Sequence, residues 1–178
     1  KLPCRYVLFV GDRTVYKNYV FFVESIAPLL KEDKDLYLVC AGVPWRAGEE
    51  ALLSRLGIYE QVRCYTVNDA ELACLYQHAL AFVFPSLYEG FGMPVLEAFK
   101  CRCPAVVSRG SSFPEVGGDA VEYLDPRDAS SIRTSVSSVI YDEQKRSELR
   151  AKGTTRLEMF SWEKTARETL EVYRSVIG

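Results

Sequence analysis

The stretch AFVFPSLYEGFGMPVLEAFK, residues 81–100, contains the strand–loop–helix unit on which the whole chain is built. It begins with a short apolar run typical of a buried strand and passes through a loop with two glycines. It then continues as a helix, in which Pro94 suits the first turn. Strands of nearly continuous apolar character, each followed by a helix, indicate a parallel sheet covered on both faces.

The same alternation runs along the rest of the chain. Strand-like runs lie at 5–11, 35–42, 62–65, 81–85, 104–108 and 120–125, and helical patterns at 128–141, 143–158 and 161–176 close the chain. Asn68 followed by Glu71 predicts a capping box at the start of a helix over 68–79. We therefore predict one α/β domain over residues 1–178, a Rossmann-like doubly wound parallel sheet of about six strands with helices on both faces. Ligands of such folds bind beyond the carboxyl ends of the strands.

Composition gives no support to several classes of partner. The chain has 178 residues, 48% of them hydrophobic, and a net charge of −2, which describes a folded domain. Nothing in this balance favours nucleic acid or an anionic membrane as the main partner. No apolar run approaches the ~20 residues of a membrane span. Six cysteines with a single histidine argue against a structural zinc site and favour a reducing, cytoplasmic compartment.

Two loops at predicted strand ends carry the candidate chemistry. Arg13 and Lys17 follow the first strand, where fixed cations and helix N–H groups hold anions, although ordinary surface charges would give the same pattern. Glu89 and Glu97 enclose the glycine loop after the fourth strand, and glycines there permit close backbone approach. Ionised carboxylates only accept hydrogen bonds and so suit paired sugar hydroxyls. We expect Glu97 in the first turn of its helix, where a carboxylate is favourable even without a ligand. The combination indicates a site for a sugar, a diphosphate and a nucleoside.

Four blocks in order make this pattern specific: VGDRTVYKN (10–18), FPSLYEGFGMPVLEAF (84–99), PAVVSRGSSFPEVGGDAV (104–121) and FSWEKTARETLEVY (160–173). On these blocks the sequence resembles the C-terminal, nucleotide-sugar-binding half of retaining, mannosyltransferase-like glycosyltransferases of family 4, which have the GT-B fold. Glu89 and Glu97 match the family's Glu-x7-Glu motif. The resemblance implies that the N-terminal acceptor domain lies outside this chain, and that the isolated domain binds donor with little or no transfer activity.

The resemblance also implies a role for each matching position. Arg13 and Lys17 hold the donor diphosphate and, with Glu89, are the candidate catalytic residues. Glu89 contacts hydroxyls of the transferred sugar, and Glu97 binds the ribose hydroxyls. The other implied donor contacts are the loop Gly90, Phe91, Gly92 and Met93, whose amides face sugar and phosphate, the helix-start residues Val95 and Leu96, and Val67 beside the base.

The implied activity is transfer of a hexose from a GDP-mannose or UDP-glucose type of donor to a polysaccharide, lipopolysaccharide or related acceptor. The cations and the helix dipole would stabilise the leaving diphosphate without a metal, and no cofactor besides the donor is expected. Peripheral association of the parent enzyme with the inner face of the membrane is left open. The alternatives are a non-catalytic nucleotide-sugar-binding module and a glycoside hydrolase that uses Glu89 and Glu97. Arg102 departs from the family, which commonly has glycine there, and is strained if the turn needs a positive φ.

Overall fold

The computed structural model describes residues 2–177, which form a doubly wound α/β fold around one parallel sheet. Its six strands are β1 (Tyr6–Val10), β2 (Tyr37–Ala41), β3 (Val62–Tyr65), β4 (Ala81–Phe84), β5 (Ala105–Ser108) and β6 (Glu122–Leu124). Their order across the sheet is β3-β2-β1-β4-β5-β6, and every neighbouring pair is parallel. The predicted fold class is confirmed.

Helices cover both faces of this sheet. The described residues form α1 (Tyr19–Glu32), α2 (Glu49–Arg55), α3 (Asp69–His78), α4 (Met93–Lys100), α5 (Phe113–Gly117), α6 (Ala129–Ile140), α7 (Glu143–Leu157) and α8 (Trp162–Ile177). Short 3-10 turns lie at Val15–Lys17 and Tyr59–Gln61. The predicted capping box is present, because the Glu71 amide donates to Asn68 Oδ1 at 3.0 Å and the Asn68 amide donates to Glu71 Oε2 at 2.9 Å. The five-residue α5 was not predicted.

The core divides into two layers because side chains alternate along each strand. In β1, Val7 and Phe9 join a cluster that packs against α1 and α6, whereas Tyr6 and Leu8 join a second cluster under α3 and α4. Burial of the strands on both faces explains their continuous apolar character. Arg102 has a φ of 55°, so the turn before β5 has the positive φ under which strain is expected at this residue.

Helix α8 differs from the others because none of its residues is buried. Its apolar side chains recur every three or four residues and remain largely uncovered, with Trp162 75% exposed and Ile177 86% exposed. The sequence predicted the helix correctly, but within residues 2–177 its apolar face has no covering layer.

Candidate functional site

The site lies where the strand order reverses between β1 and β4. The chain leaves β1 toward β2 on one side and returns as β4 on the other. A crevice therefore forms between the loop that follows β1 and the loop that follows β4. A backbone hydrogen bond joins them, since the Leu87 amide donates to the Tyr16 carbonyl at 2.8 Å. The two loops that the sequence singled out, 72 residues apart at Lys17 and Glu89, therefore meet.

Lys17 and Glu89 form the centre of this crevice. Lys17 Nζ lies 2.6 Å from Glu89 Oε1, and the two side chains are 12% and 13% exposed. The ammonium also sits 4.4 Å from the centre of the Phe84 ring, at the end of β4. Partial burial strengthens the attraction between these charges, while the remaining exposure leaves both accessible to a ligand.

The backbone of Glu89 is held by the loop that follows β5. The Glu89 amide donates to Ser111 Oγ at 3.0 Å, and the hydroxyls of Ser111 and Ser112 both donate to the Glu89 carbonyl. Ser111 has a φ of 54°, a left-handed conformation that aims its side chain at the neighbouring loop. No role of these serines was predicted, although they lie within the third matching block, residues 104–121.

The loop that follows Glu89 presents free backbone donors at the start of α4. Gly92 caps this helix with a φ of 98°, which favours glycine. Within residues 2–177 the amides of Gly90, Phe91, Gly92 and Met93 donate to no protein acceptor, and Pro94 has no N–H. Four unpaired amides at and just before a helix N-terminus make an anion-binding surface.

The two helix-start residues contribute less to this surface. The Val95 amide already donates to the Gly92 carbonyl at 2.9 Å, and its side chain is buried in the core. Leu96 is half-buried and packs against the same layer. Met93 and Phe91 remain 43% and 44% exposed. Any phosphate contact of Val95 through its backbone N–H would require that hydrogen bond to open.

Glu97 lies beyond the first turn of α4, so its expected position in that turn is wrong. The helix begins at Met93, one residue before Pro94, and this places Glu97 in the second turn. Its carboxylate instead accepts a hydrogen bond at 3.2 Å from the phenol of Tyr76 on α3. Val67 lies between the end of β3 and Asn68, the cap of α3, and is half-buried.

Arg13 does not face the crevice, which corrects its expected position. Its side chain is 0% exposed, and Nε donates to both oxygens of Glu49, at 2.9 and 3.0 Å. Its Nη2 donates to the Val43 carbonyl at 3.0 Å and the Pro44 carbonyl at 2.7 Å. Burial alone would lower the pKa of Arg13, but the hydrogen bond and charge of Glu49 raise the pKa above its ordinary value. The guanidinium therefore braces the loop after β2.

The described part of the chain has neither a cluster of metal ligands nor a membrane-spanning helix. Residues 2–177 hold no group of three His, Cys, Asp or Glu side chains arranged for a metal ion. The chain's Asp-x-Asp sequence, Asp33–Asp35, lies before β2 at the opposite edge of the sheet, where Asp33 pairs with Arg5. All six cysteines are free thiols, and no helix within the described residues is long and apolar enough to cross a membrane.

Comparison with known proteins points to one family. The family model described as glycosyl transferases group 1 matches residues 3–156. O-antigen chain mannosyltransferase B of Escherichia coli is 35% identical over 175 residues, which cover 95% of this chain and 45% of that protein. The chain thus spans about half the length of this relative.

Two solved structures share the fold. Sucrose-phosphate synthase from Thermosynechococcus elongatus superposes with a TM-score of 0.83 at 23% identity, covering 97% of this chain and 45% of that one. The C-terminal domain of a glycosyl transferase group 1 family protein from Francisella tularensis gives a TM-score of 0.73 at 21% identity, covering 87% and 84%. That second structure is of a corresponding domain by itself.

Proposed function

Because this chain belongs to the glycosyl transferases group 1 family, we propose that it is the donor-binding domain of a retaining hexosyltransferase. The observation that carries the proposal is the single crevice that holds Lys17, Glu89 and the free amides of residues 90–93. A cation and unpaired amides suit a diphosphate, and an acceptor-only carboxylate suits sugar hydroxyls. Among donors we place GDP-mannose first and UDP-glucose second, because the E. coli relative is named a mannosyltransferase.

We assign the direct diphosphate contacts to Lys17 and the α4 N-terminus. Without a donor, Lys17 and Glu89 neutralise each other across 2.6 Å. A bound nucleotide sugar replaces this pair, since its diphosphate takes the ammonium and its sugar hydroxyls take the carboxylate. Arg13 acts from inside, by fixing the loop after β2 through Glu49. Glu97 binds the ribose, and Val67 borders the base.

The transfer chemistry follows from the same groups. As the bond between the anomeric carbon and phosphate breaks, negative charge develops on the diphosphate, and Lys17 with the helix amides stabilises it. The acceptor oxygen bonds to the anomeric carbon on the face from which the phosphate leaves, and its proton passes to the leaving phosphate, so the configuration is retained without a protein nucleophile. This scheme requires no divalent metal for transfer.

We propose that a second domain binds the acceptor. The uncovered apolar stripe of α8 supports this proposal. The apolar side chains Trp162, Ala166, Leu170, Tyr173 and Ile177 follow one helical stripe, while no residue of α8 is buried. An apolar stripe of this size is a contact surface for another layer of structure. The relative's length leaves room for such a domain, and we expect the isolated chain to bind donor without appreciable transfer.

Calorimetric titration of the chain with UDP, GDP, ADP and their sugar conjugates tests the proposal. We expect at least one nucleoside diphosphate to bind. Lys17→Ala should weaken that diphosphate by roughly 10- to 100-fold, the range of a charge-assisted hydrogen bond, and its nucleoside much less. Lys100→Ala is the matched control, because Lys100 is an exposed lysine at the far end of α4. Failure of every nucleoside diphosphate to bind would reject the proposed function.

A further inference from the structure

The buried phenol of Tyr76 is not part of any motif identified above, yet it contacts the second motif glutamate. Tyr76 lies on α3 and is 1% exposed. Its Oη is 3.2 Å from Glu97 Oε2 and 3.4 Å from the Pro94 carbonyl, both on α4. A phenol has one proton to donate, and the carboxylate is the closer and more strongly accepting partner.

Glu97 depends on this contact for its orientation. Since Glu97 lies past the first turn of α4, the free helix amides do not fix its carboxylate. Within residues 2–177, Tyr76 is its one side-chain hydrogen-bond partner, and no cation pairs with it. A glutamate side chain rotates about several bonds, so ordering it only when a ligand binds would cost affinity.

We propose that Tyr76 is a positioning residue for nucleotide recognition, because it holds Glu97 Oε2 and thereby directs Oε1 toward the ribose hydroxyls of the donor. The inference rests on the proposed function. It also explains a link between two parts of the site. Tyr76 lies on α3, which starts beside Val67, the residue assigned to the nucleotide base. It contacts α4, which carries Glu97, the residue assigned to the ribose. Burial first, and the charge of Glu97 second, raise the pKa of Tyr76 well above its ordinary value, so the phenol remains a donor.

If Tyr76 had a purely structural role, its replacement would have a different effect. A buried hydroxyl needs an acceptor, and the Pro94 carbonyl alone would satisfy it. In that case, loss of the hydroxyl would change stability and leave ribose recognition intact. The experiment must therefore measure discrimination between ribose and deoxyribose, which general destabilisation of the fold does not alter.

The test compares GDP and UDP with their 2′-deoxy and 3′-deoxy counterparts by calorimetry, on the wild-type chain and on Tyr76→Phe. Tyr6→Phe is the matched control. Tyr6 is also fully buried, and its phenol donates at 2.6 Å to the carbonyl of Leu75, the residue next to Tyr76 on α3. Tyr6→Phe thus removes a comparable hydrogen bond to the same helix without touching a carboxylate. Urea unfolding monitors the stability of each variant.

We expect Tyr76→Phe to weaken the ribonucleotide by roughly 3- to 10-fold, the range of one oriented hydrogen bond, and to shrink the penalty for the missing hydroxyl by a similar factor. Tyr6→Phe should change neither quantity. An unchanged ribose-to-deoxyribose ratio in Tyr76→Phe would overturn the inference. The inference would also be overturned if the wild-type chain bound GDP or UDP with the same affinity as their deoxy forms. Absence of all nucleotide binding would instead reject the proposed function. If Tyr76→Phe does not fold, Tyr76→Met, which also lacks the hydroxyl, is judged by the same ratio.

Discussion

Replacement of Arg13 by alanine separates folding from ligand binding at this site. The guanidinium is fully enclosed, pairs with a Glu49 side chain that is only 10% exposed, and donates to the Val43 and Pro44 carbonyls. It also packs 5.0 Å from the centre of the Trp45 ring. Arg13→Ala therefore leaves a buried carboxylate with one remaining donor, the Arg46 amide at 2.7 Å.

Breaking a buried ion pair in this way costs about 3–5 kcal/mol of unfolding free energy. Because small domains have only about 5–15 kcal/mol in total, Arg13→Ala should shift the urea midpoint strongly. Trp45 packs directly on the guanidinium, so its fluorescence reports the local change. Lys17→Ala should cost less, because Lys17 is partly exposed and makes a single ion pair, whereas Arg13 is fully enclosed and also donates to two backbone carbonyls.

The double variant Arg13→Met with Glu49→Leu provides the control. It removes both charges and keeps apolar volume, so it should recover most of the stability that Arg13→Ala loses. Affinity for a nucleoside diphosphate, measured on folded protein, should fall far more in Lys17→Ala than in the double variant. An Arg13→Ala variant that unfolds within about 1 kcal/mol of wild type and selectively loses diphosphate binding would contradict the assignment of Arg13 to the interior.

Four further results are expected. Glu89→Gln frees Lys17, so it should tighten a bare nucleoside diphosphate a few-fold and reduce the preference for the sugar conjugate; weaker diphosphate binding would contradict the ion-pair exchange. Deletion of residues 161–178 should leave the urea midpoint and nucleotide affinity nearly unchanged, since no residue of α8 is buried. Arg102→Gly should raise the unfolding free energy by about 1 kcal/mol by relieving the left-handed strain, and a loss would show that the turn is unstrained. Burial raises the pKa of Asp33, but Tyr141 and Arg5 outweigh this effect and lower the pKa below its ordinary value. Asp33→Asn should therefore destabilise the chain at neutral pH. The difference in unfolding free energy should disappear in acid, where the wild-type carboxylate becomes protonated.

The order of strands and helices was predictable because it depends on local patterns. Apolar runs, the Asn68 and Glu71 cap, and Pro94 at a helix start each act within a few residues and agree with one another. The positive φ of Arg102 was considered only as a condition for strain, because arginine stands where the family commonly has glycine. The short α5 was not predicted, because five residues are too few to show a helical periodicity.

The meeting of the two candidate loops was predictable, and the geometry of their side chains only partly so. A parallel sheet brings the carboxyl ends of its strands to one edge, so the sequence alone placed the loops of Lys17 and Glu89 together. It placed Glu97 in the first turn of α4 instead of the second, because the helix starts one residue before the proline. It also missed the hydroxyls of Ser111 and Ser112, whose contacts with the Glu89 backbone span more than 20 residues.

Local periodicity and turn chemistry were enough to predict the elements, their order in a doubly wound sheet and the edge at which the candidate site lies. Only the tertiary structure decided what each side chain faces. Two cations four residues apart looked equivalent in the sequence, yet Arg13 turns inward to Glu49 and Lys17 meets Glu89 in the open crevice. Their partners lie 36 and 72 residues away, and the packing of the whole sheet sets which of them comes within reach.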